Sequence, residues 1–584
     1  MSNMFDVVIK NGVIVDGSGN KSYQADIGII SDKIAKIGLI DISQSETIID
    51  ATGRYVTPGF IDTHSHADTS AFLFPDCQSY LKQGITTFIG GTCGDSNAPL
   101  NNYWIRKYWE YDMWNEIDPF IFYPETIQPV ERVKKVVLEK TGVMIDWKSF
   151  GEYLSRLENT GIGTNMVAML GHSQLRADVM GKAGDRRPTE IEMEEMKHHI
   201  SEAMESGAWG ISFGRDYPPS AFADEEEMLE LLRHVKQYNG MFSIHWKRTG
   251  IRNASANRPN KWSGVEEALN LAYKSGLKVQ ISHLDTGFEI YPSNKELEIV
   301  AAKETLKLID KYLEMGVKAA FDVIPGTSGG IVHVPYLAGY FMPWLKQAGS
   351  LSNFINCLKA YDYRDEVVNR IYSGHWYNIN PIVDPEWDFK MVISKCKEIT
   401  YEGLTIRHIA DLMGIDSVRA VLMVLLEDKY TMVHKHAKLI EGVRELLKHD
   451  RASVCTDTFS FDEKGIYGLD SEIPEILPHP HTYCAFPKYI LESGMDSIEK
   501  TIRKISGFPA EFTGLSDRGM IRECYYADIL IFDIDNLRTN ENYKEPRKYA
   551  EGIEYAFVNG DLAIENSHFT GKRSGKILKN KQDV

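Results

Sequence analysis

The sequence predicts an α/β protein, a (β/α)8 TIM-like barrel joined to a small composite β-sandwich drawn from both chain ends. Three observations predict it. Apolar runs at 58–62, 85–90, 165–171, 208–213, 241–245, 278–283, 317–322 and 451–456 alternate with amphipathic helical stretches, and eight such runs match the strand count of that barrel. Short β-branched runs separated by turns fill both ends of the chain. Residues able to bind metal follow the C-terminal ends of seven of the eight runs, where barrels of this kind hold their chemistry.

Taken in order, residues 5–57 carry Val7-Val8-Ile9, a turn signal at Asn11-Gly12, Val13-Ile14-Val15, the turn Asp16-Gly17-Ser18-Gly19, and Ala25–Ile30. The same texture returns in Ala527–Asp533 and Gly552–Gly560. This predicts a sandwich built from 1–57 and 509–584 around a barrel spanning 58–508. Within the barrel, the helix over 188–206 begins at Pro188-Thr189 with acidic early turns, as a helix start should, and a second helix follows over 223–238. Two connections, about 96–160 and 323–450, are too long for plain loops and read as inserts over the barrel mouth. The first is rich in aromatics (Tyr103, Trp104, Tyr108, Trp109, Tyr111, Trp114, Phe120, Phe122, Tyr123), which read as packing of the insert or as the lining of an apolar substrate pocket.

The 584 residues suffice for a large core and more than one domain. A net charge of −17 argues against nucleic acid or an anionic membrane as the main partner and leaves a small molecule. The N-terminus lacks the pattern of a signal peptide, no apolar run is long enough to span a bilayer, and seven scattered cysteines do not form a disulfide framework. These features predict a cytoplasmic protein; homo-oligomerisation stays open.

His64-Ser65-His66 is the most specific local pattern, because residues two apart in an extended chain face the same way, roughly 6–7 Å apart. The later strand ends add Cys93, His172, His245, His283, Asp322 and Asp457. Nitrogen, thiolate and carboxylate donors around one mouth suit zinc. An open position there accommodates a water whose pKa the ion lowers.

These residues resemble the amidohydrolase superfamily, and within it the D-aminoacylase or N-acyl-D-amino-acid deacylase family. The resemblance is carried by Asp6–Gly12 with Val15–Gly19, Pro58–His66, Gly84–Thr87 through Cys93-Gly94, Gly171-His172 with Leu175-Arg176, Tyr217-Pro218-Pro219, Gln280–His283, Leu477–Pro480 and Gly514–Gly519, and runs nearly end to end. It implies a zinc hydrolase of linear carbon–nitrogen amide bonds using one or two ions. Cys93, His245 and His283 would form the tighter site, and His64, His66 and Asp457 the weaker one. Asp457 would be the catalytic carboxylate, and Cys93 would take the place of the carboxylated lysine used elsewhere in the superfamily.

Two departures concern the substrate. His481 stands where the family has an arginine thought to hold the substrate carboxylate, and Asp322-Val323-Ile324-Pro325-Gly326 replaces a tyrosine-bearing run. The expectation is a substrate that is larger, more aromatic or without a free α-carboxylate, unless Arg176, Arg215 or Lys247 has taken over the arginine's task. His172 is a further candidate for substrate contact. A cyclic-amide hydrolase of the hydantoinase or dihydroorotase kind and a non-catalytic scaffold are the alternatives.

Overall fold

Strands from the two ends of the chain pair in one nine-stranded sheet in the computed structural model, which describes residues 4–105, 123–248, 260–328, 336–376, 379–463 and 477–580. The seam is Tyr55–Pro58, antiparallel to Ile529–Phe532 and parallel to Phe5–Ile14. Ile9, Ile14, Ile27, Val56, Ile529, Ile531 and Phe557 bury one core of this sheet. Asn11-Gly12, read from sequence as a turn, is a bulge within the single strand Phe5–Ile14, with Asn11 at φ 60°. A Cβ on Gly12 would lie 2.4 Å from Val56 Cγ2, so the bulge needs glycine there.

Between the ends, every one of the eight predicted runs contains a strand: Phe60–Asp62, Ile85–Gly90, Asn165–Ala168 with Leu170–Gly171, Gly210–Gly214, Met241–His245, Val279–Ile281, Ala319–Val323 and Ala452–Val454. All are buried and pair in parallel, which is why they read as apolar runs rather than as alternating patterns. They form two sheets, one of four strands that also takes in Ile577–Leu578, and one of six. No ladder joins the two sheets among the described residues. Side-chain and turn contacts do join them: Thr63 Oγ1 is 2.9 Å from Ser453 Oγ, Asp457 N donates to His64 O (3.0 Å), and Trp209 N donates to Ala168 O (2.9 Å).

The predicted helices are present as Glu190–Ser206 and Glu225–Lys236. The first starts on a capping box, in which Thr189 accepts from Glu192 N while the Glu192 side chain accepts from Thr189 N; the second is capped by Asp224. The later insert carries further helices, among them Tyr361–Tyr372 and Ser417–Glu427, and a hairpin of Met391–Lys395 with Met432–Lys435, which share an apolar core of their own. Of the aromatic-rich insert, Tyr108, Trp109, Tyr111, Trp114, Phe120 and Phe122 lie outside the described residues. No described helix is long and apolar enough to cross a membrane.

Candidate metal centre

The ends of five parallel strands converge on one buried cluster. Cys93 Sγ lies 3.3 Å from His64 Nε2, 3.5 Å from His245 Nδ1 and 3.5 Å from His283 Nε2. Asp457 Oδ1 lies 3.4 Å from His64 Nε2 and 3.3 Å from His66 Nε2. Two donor groups result, His64, His66, Cys93 and Asp457 in one, and Cys93, His245 and His283 in the other. Tetrahedral zinc with Zn–S near 2.3 Å and Zn–N near 2.0–2.1 Å would set sulfur and nitrogen ligands about 3.5 Å apart. The observed cysteine–histidine separations fit that ion, although His245 Nδ1 and His283 Nε2, at 2.8 Å, are closer than two ligand nitrogens would sit.

The backbone delivers these side chains at a conformational cost. Cys93 (φ 56°), His283 (φ 37°) and Asp457 (φ 50°) all sit in left-handed conformations, which non-glycine residues rarely adopt and which cluster at functional sites. Gly91 lets the Cys93 turn close, because a Cβ there would fall 1.9 Å from Met169 O.

Buried carboxylates then fix the ligands. Asp322 accepts from His283 N (2.5 Å) and Gln280 Nε2 (2.7 Å). Asp216 Oδ2 pairs with His245 Nε2 at 3.1 Å, leaving Nδ1 for the cluster. Asp62 accepts from His64 N and from both Thr456 N and Oγ1, tying the first strand end to the eighth; burial pushes its carboxyl up to about 7. Asp216 and Asp62 were missed as site residues in the sequence, although a carboxylate two residues past a strand end, beside Tyr217-Pro218-Pro219, was a usable signal for Asp216.

The electrostatics are those of a ligand set. Burial alone would raise the Cys93 thiol and the Asp457 carboxyl, yet neighbouring imidazoles hold both well below their ordinary ranges. Burial would lower His64 and His66; Cys93 and Asp457 instead raise His64 well above the usual range and His66 to about 9. A thiolate and a carboxylate buried among imidazoles are the charges a divalent cation would neutralise.

The other sequence candidates are placed differently. His172 is buried with both ring nitrogens occupied, by Ser220 Oγ (2.8 Å) and Glu227 Oε1 (3.0 Å). Arg176 pairs with Glu227 and donates to Gly184 O and Arg186 O. Arg215 forks onto Glu267 at 3.0 and 3.1 Å. Lys247 is exposed. His481 is buried without a hydrogen-bond partner on either ring nitrogen, 4.0 Å from Glu541 Oε1, and burial with His479 and Lys488 nearby keeps it well below the ordinary histidine pKa. His434 and His436 pack on Tyr543, His434 stacking at 4.1 Å.

Residues 47–286 match the model of an amidohydrolase family. The chain is 27% identical to a D-aminoacylase of Alcaligenes xylosoxydans xylosoxydans, covering 99% of this chain and 98% of that one. Along its full length the chain is similar to a D-aminoacylase. It is also 25% identical to an N-acyl-D-glutamate deacylase of the same organism, over 99% of its own length and 97% of the relative. A crystal structure of D-aminoacylase superposes with a TM-score of 0.68 at 25% identity, covering 99% of this chain and 100% of that one.

Proposed function

We propose that this protein is a zinc-dependent deacylase that cleaves the linear amide of an N-acyl amino acid or a D-aminoacyl-containing compound. The observation that carries it is Cys93, whose sulfur stands within 3.5 Å of three imidazole nitrogens from three different strand ends. Full-length relatives named D-aminoacylase and N-acyl-D-glutamate deacylase support the same reading. The barrel belongs to it too: we read the two parallel sheets as one eight-stranded (β/α)8 barrel within 58–508, with 1–57 and 509–584 forming the sandwich.

Cys93, His245 and His283 would hold one ion, and His64, His66 and Asp457, with Cys93 shared, a second. A bound zinc supplies Lewis acidity toward the substrate carbonyl and lowers the pKa of water. Asp457 takes the proton of the attacking water and returns it to the departing nitrogen, which lets an amine leave rather than an amide anion. Asp216 and Asp322 hold His245 and His283 in place throughout. Both His172 nitrogens are engaged by Ser220 and Glu227, which favours a structural role for that ring.

The test is amine release by zinc-loaded protein from N-acyl-D-amino acids, N-acyl-L-amino acids and cyclic ureides, before and after chelation. Chelator-sensitive turnover of a linear N-acyl compound is expected. Turnover of cyclic ureides alone, or of nothing, would refute the reading.

A further inference from the structure

A cavity of about 620 Å³ lies at the N-terminal end of the strand Ala452–Val454, whereas Asp457 follows the strand's other end. It shares no residue with the metal centre. Arg451 enters it from just before that strand, Lys448 from the end of the helix Ile440–Lys448, and Lys500, Arg503 and Lys504 from the helix Ile498–Ile505. In a chain of net charge −17, these five cations meet three carboxylates in the lining, Asp450, Asp496 and Glu511.

Two of those carboxylates are committed. Asp496 pairs with Lys500 at 2.8 Å and Glu511 with Arg503 at 2.9 Å, while Lys448 pairs with Glu445, outside the lining, at 2.9 Å. Arg451 and Lys504 are left with Asp450, and among the described residues neither has a carboxylate within ion-pair distance. Lys504 is only 6% exposed, and its ammonium donates to the backbone carbonyl of His449. A lysine so buried is ordinarily paired, because an ammonium removed from water without a counter-charge is costly. Burial pulls Lys504 down to about 8, with Asp450 opposing and Arg503 adding to the effect, so it stays mostly charged near neutrality.

We propose that this cavity is a second ligand site, which binds a phosphoryl anion between Arg451 and Lys504. Arginine presents a fixed fork of N–H donors and lysine a rotatable point charge, and a phosphate has oxygens enough to accept from both. Its charge supplies what Asp450 alone leaves short. Met495 and Phe508 lie in the same lining and offer apolar surface to the organic part of a phosphate ester. The ligand would tie the helix Ile498–Ile505 to the entry of the strand that leads to Asp457, so its binding stabilises the folded chain.

The test is calorimetric titration of zinc-loaded, full-length protein with inorganic phosphate and with phenyl phosphate, at about 0.15 M salt so that exposed charges are screened. Binding with a Kd below about 1 mM is expected for at least one of them. Arg451→Met and Lys504→Met should each weaken it about tenfold or more, the loss of one charge-assisted contact, and leave zinc content and amide turnover unchanged. Arg451 is exposed, so its variant tests the site even where Lys504→Met disturbs the fold. Phenyl phosphate binding about tenfold more tightly than phosphate would support a phosphate ester as the ligand, and equal affinities the free ion. No binding of either up to about 10 mM would overturn the site. So would an affinity that Arg451→Met leaves unchanged, since phosphate held by the metal centre would behave in that way.

Discussion

Cys93 Sγ lies 3.3 Å from His64 Nε2, which brings the ends of the first and second parallel strands onto one sulfur that also faces His245 and His283. Both donor groups therefore depend on Cys93. Cys93→Ala should lower zinc content and abolish turnover while the far-ultraviolet circular dichroism stays that of a folded protein. Undiminished zinc stoichiometry, measured by atomic emission, would contradict the shared-ligand assignment.

Asp457 is the carboxylate of the cluster, with Oδ1 between His64 and His66. Asp457→Asn keeps its shape and removes the proton acceptor. The turnover number should fall about 10²–10⁴-fold, the usual yield of general acid–base catalysis. A variant keeping more than about a tenth of wild-type turnover at equal zinc content would exclude Asp457 as the proton carrier.

The parallel strands and most cluster residues were legible because buried parallel strands write themselves as apolar runs and the donors follow directly at their C-terminal ends. His64 and Asp457 are 393 positions apart and meet only because each terminates such a run. What the sequence hid was pairing. Arg176 and Arg215 look like free cations in a list of residues, and only the fold brings Glu227 and Glu267 against them. The Asn11-Gly12 bulge was hidden for a related reason: the same dipeptide serves a hairpin turn and a bulge, and the partner strand decides between them.

Asp216 tests whether orientation of a ligand matters as much as its presence. Its carboxylate fixes His245 through Nε2 and also accepts from Arg248 N. Asp216→Asn would weaken the hold on the imidazole without removing a ligand. Zinc affinity should fall about 10–100-fold, with partial rescue of turnover at high zinc, as for other partners of ligating histidines. Wild-type affinity in a competition titration would show that His245 is held by packing alone.

Glu227 gives a pH dependence that does not involve the metal. It is buried against Arg176 and His172; burial would raise its carboxyl, but the hydrogen bond from His172 and the charge of Arg176 hold it at about 2. A depressed folded-state pKa stabilises above the unfolded value, near 4.3, and that stability is lost as pH falls toward the folded value. The shift corresponds to about 3 kcal/mol, present at pH 7 and fading between about pH 5 and pH 2. Glu227→Gln leaves the Arg176 charge buried and unpaired at every pH, so it should be markedly less stable than wild type at pH 7. On acidification the two proteins should converge, because protonated Glu227 no longer differs in charge from glutamine. Urea midpoints of both proteins from pH 7 to pH 3 measure this directly. A gap that stays constant across that range would mean that Glu227 stabilises through shape and hydrogen bonding rather than through its charge.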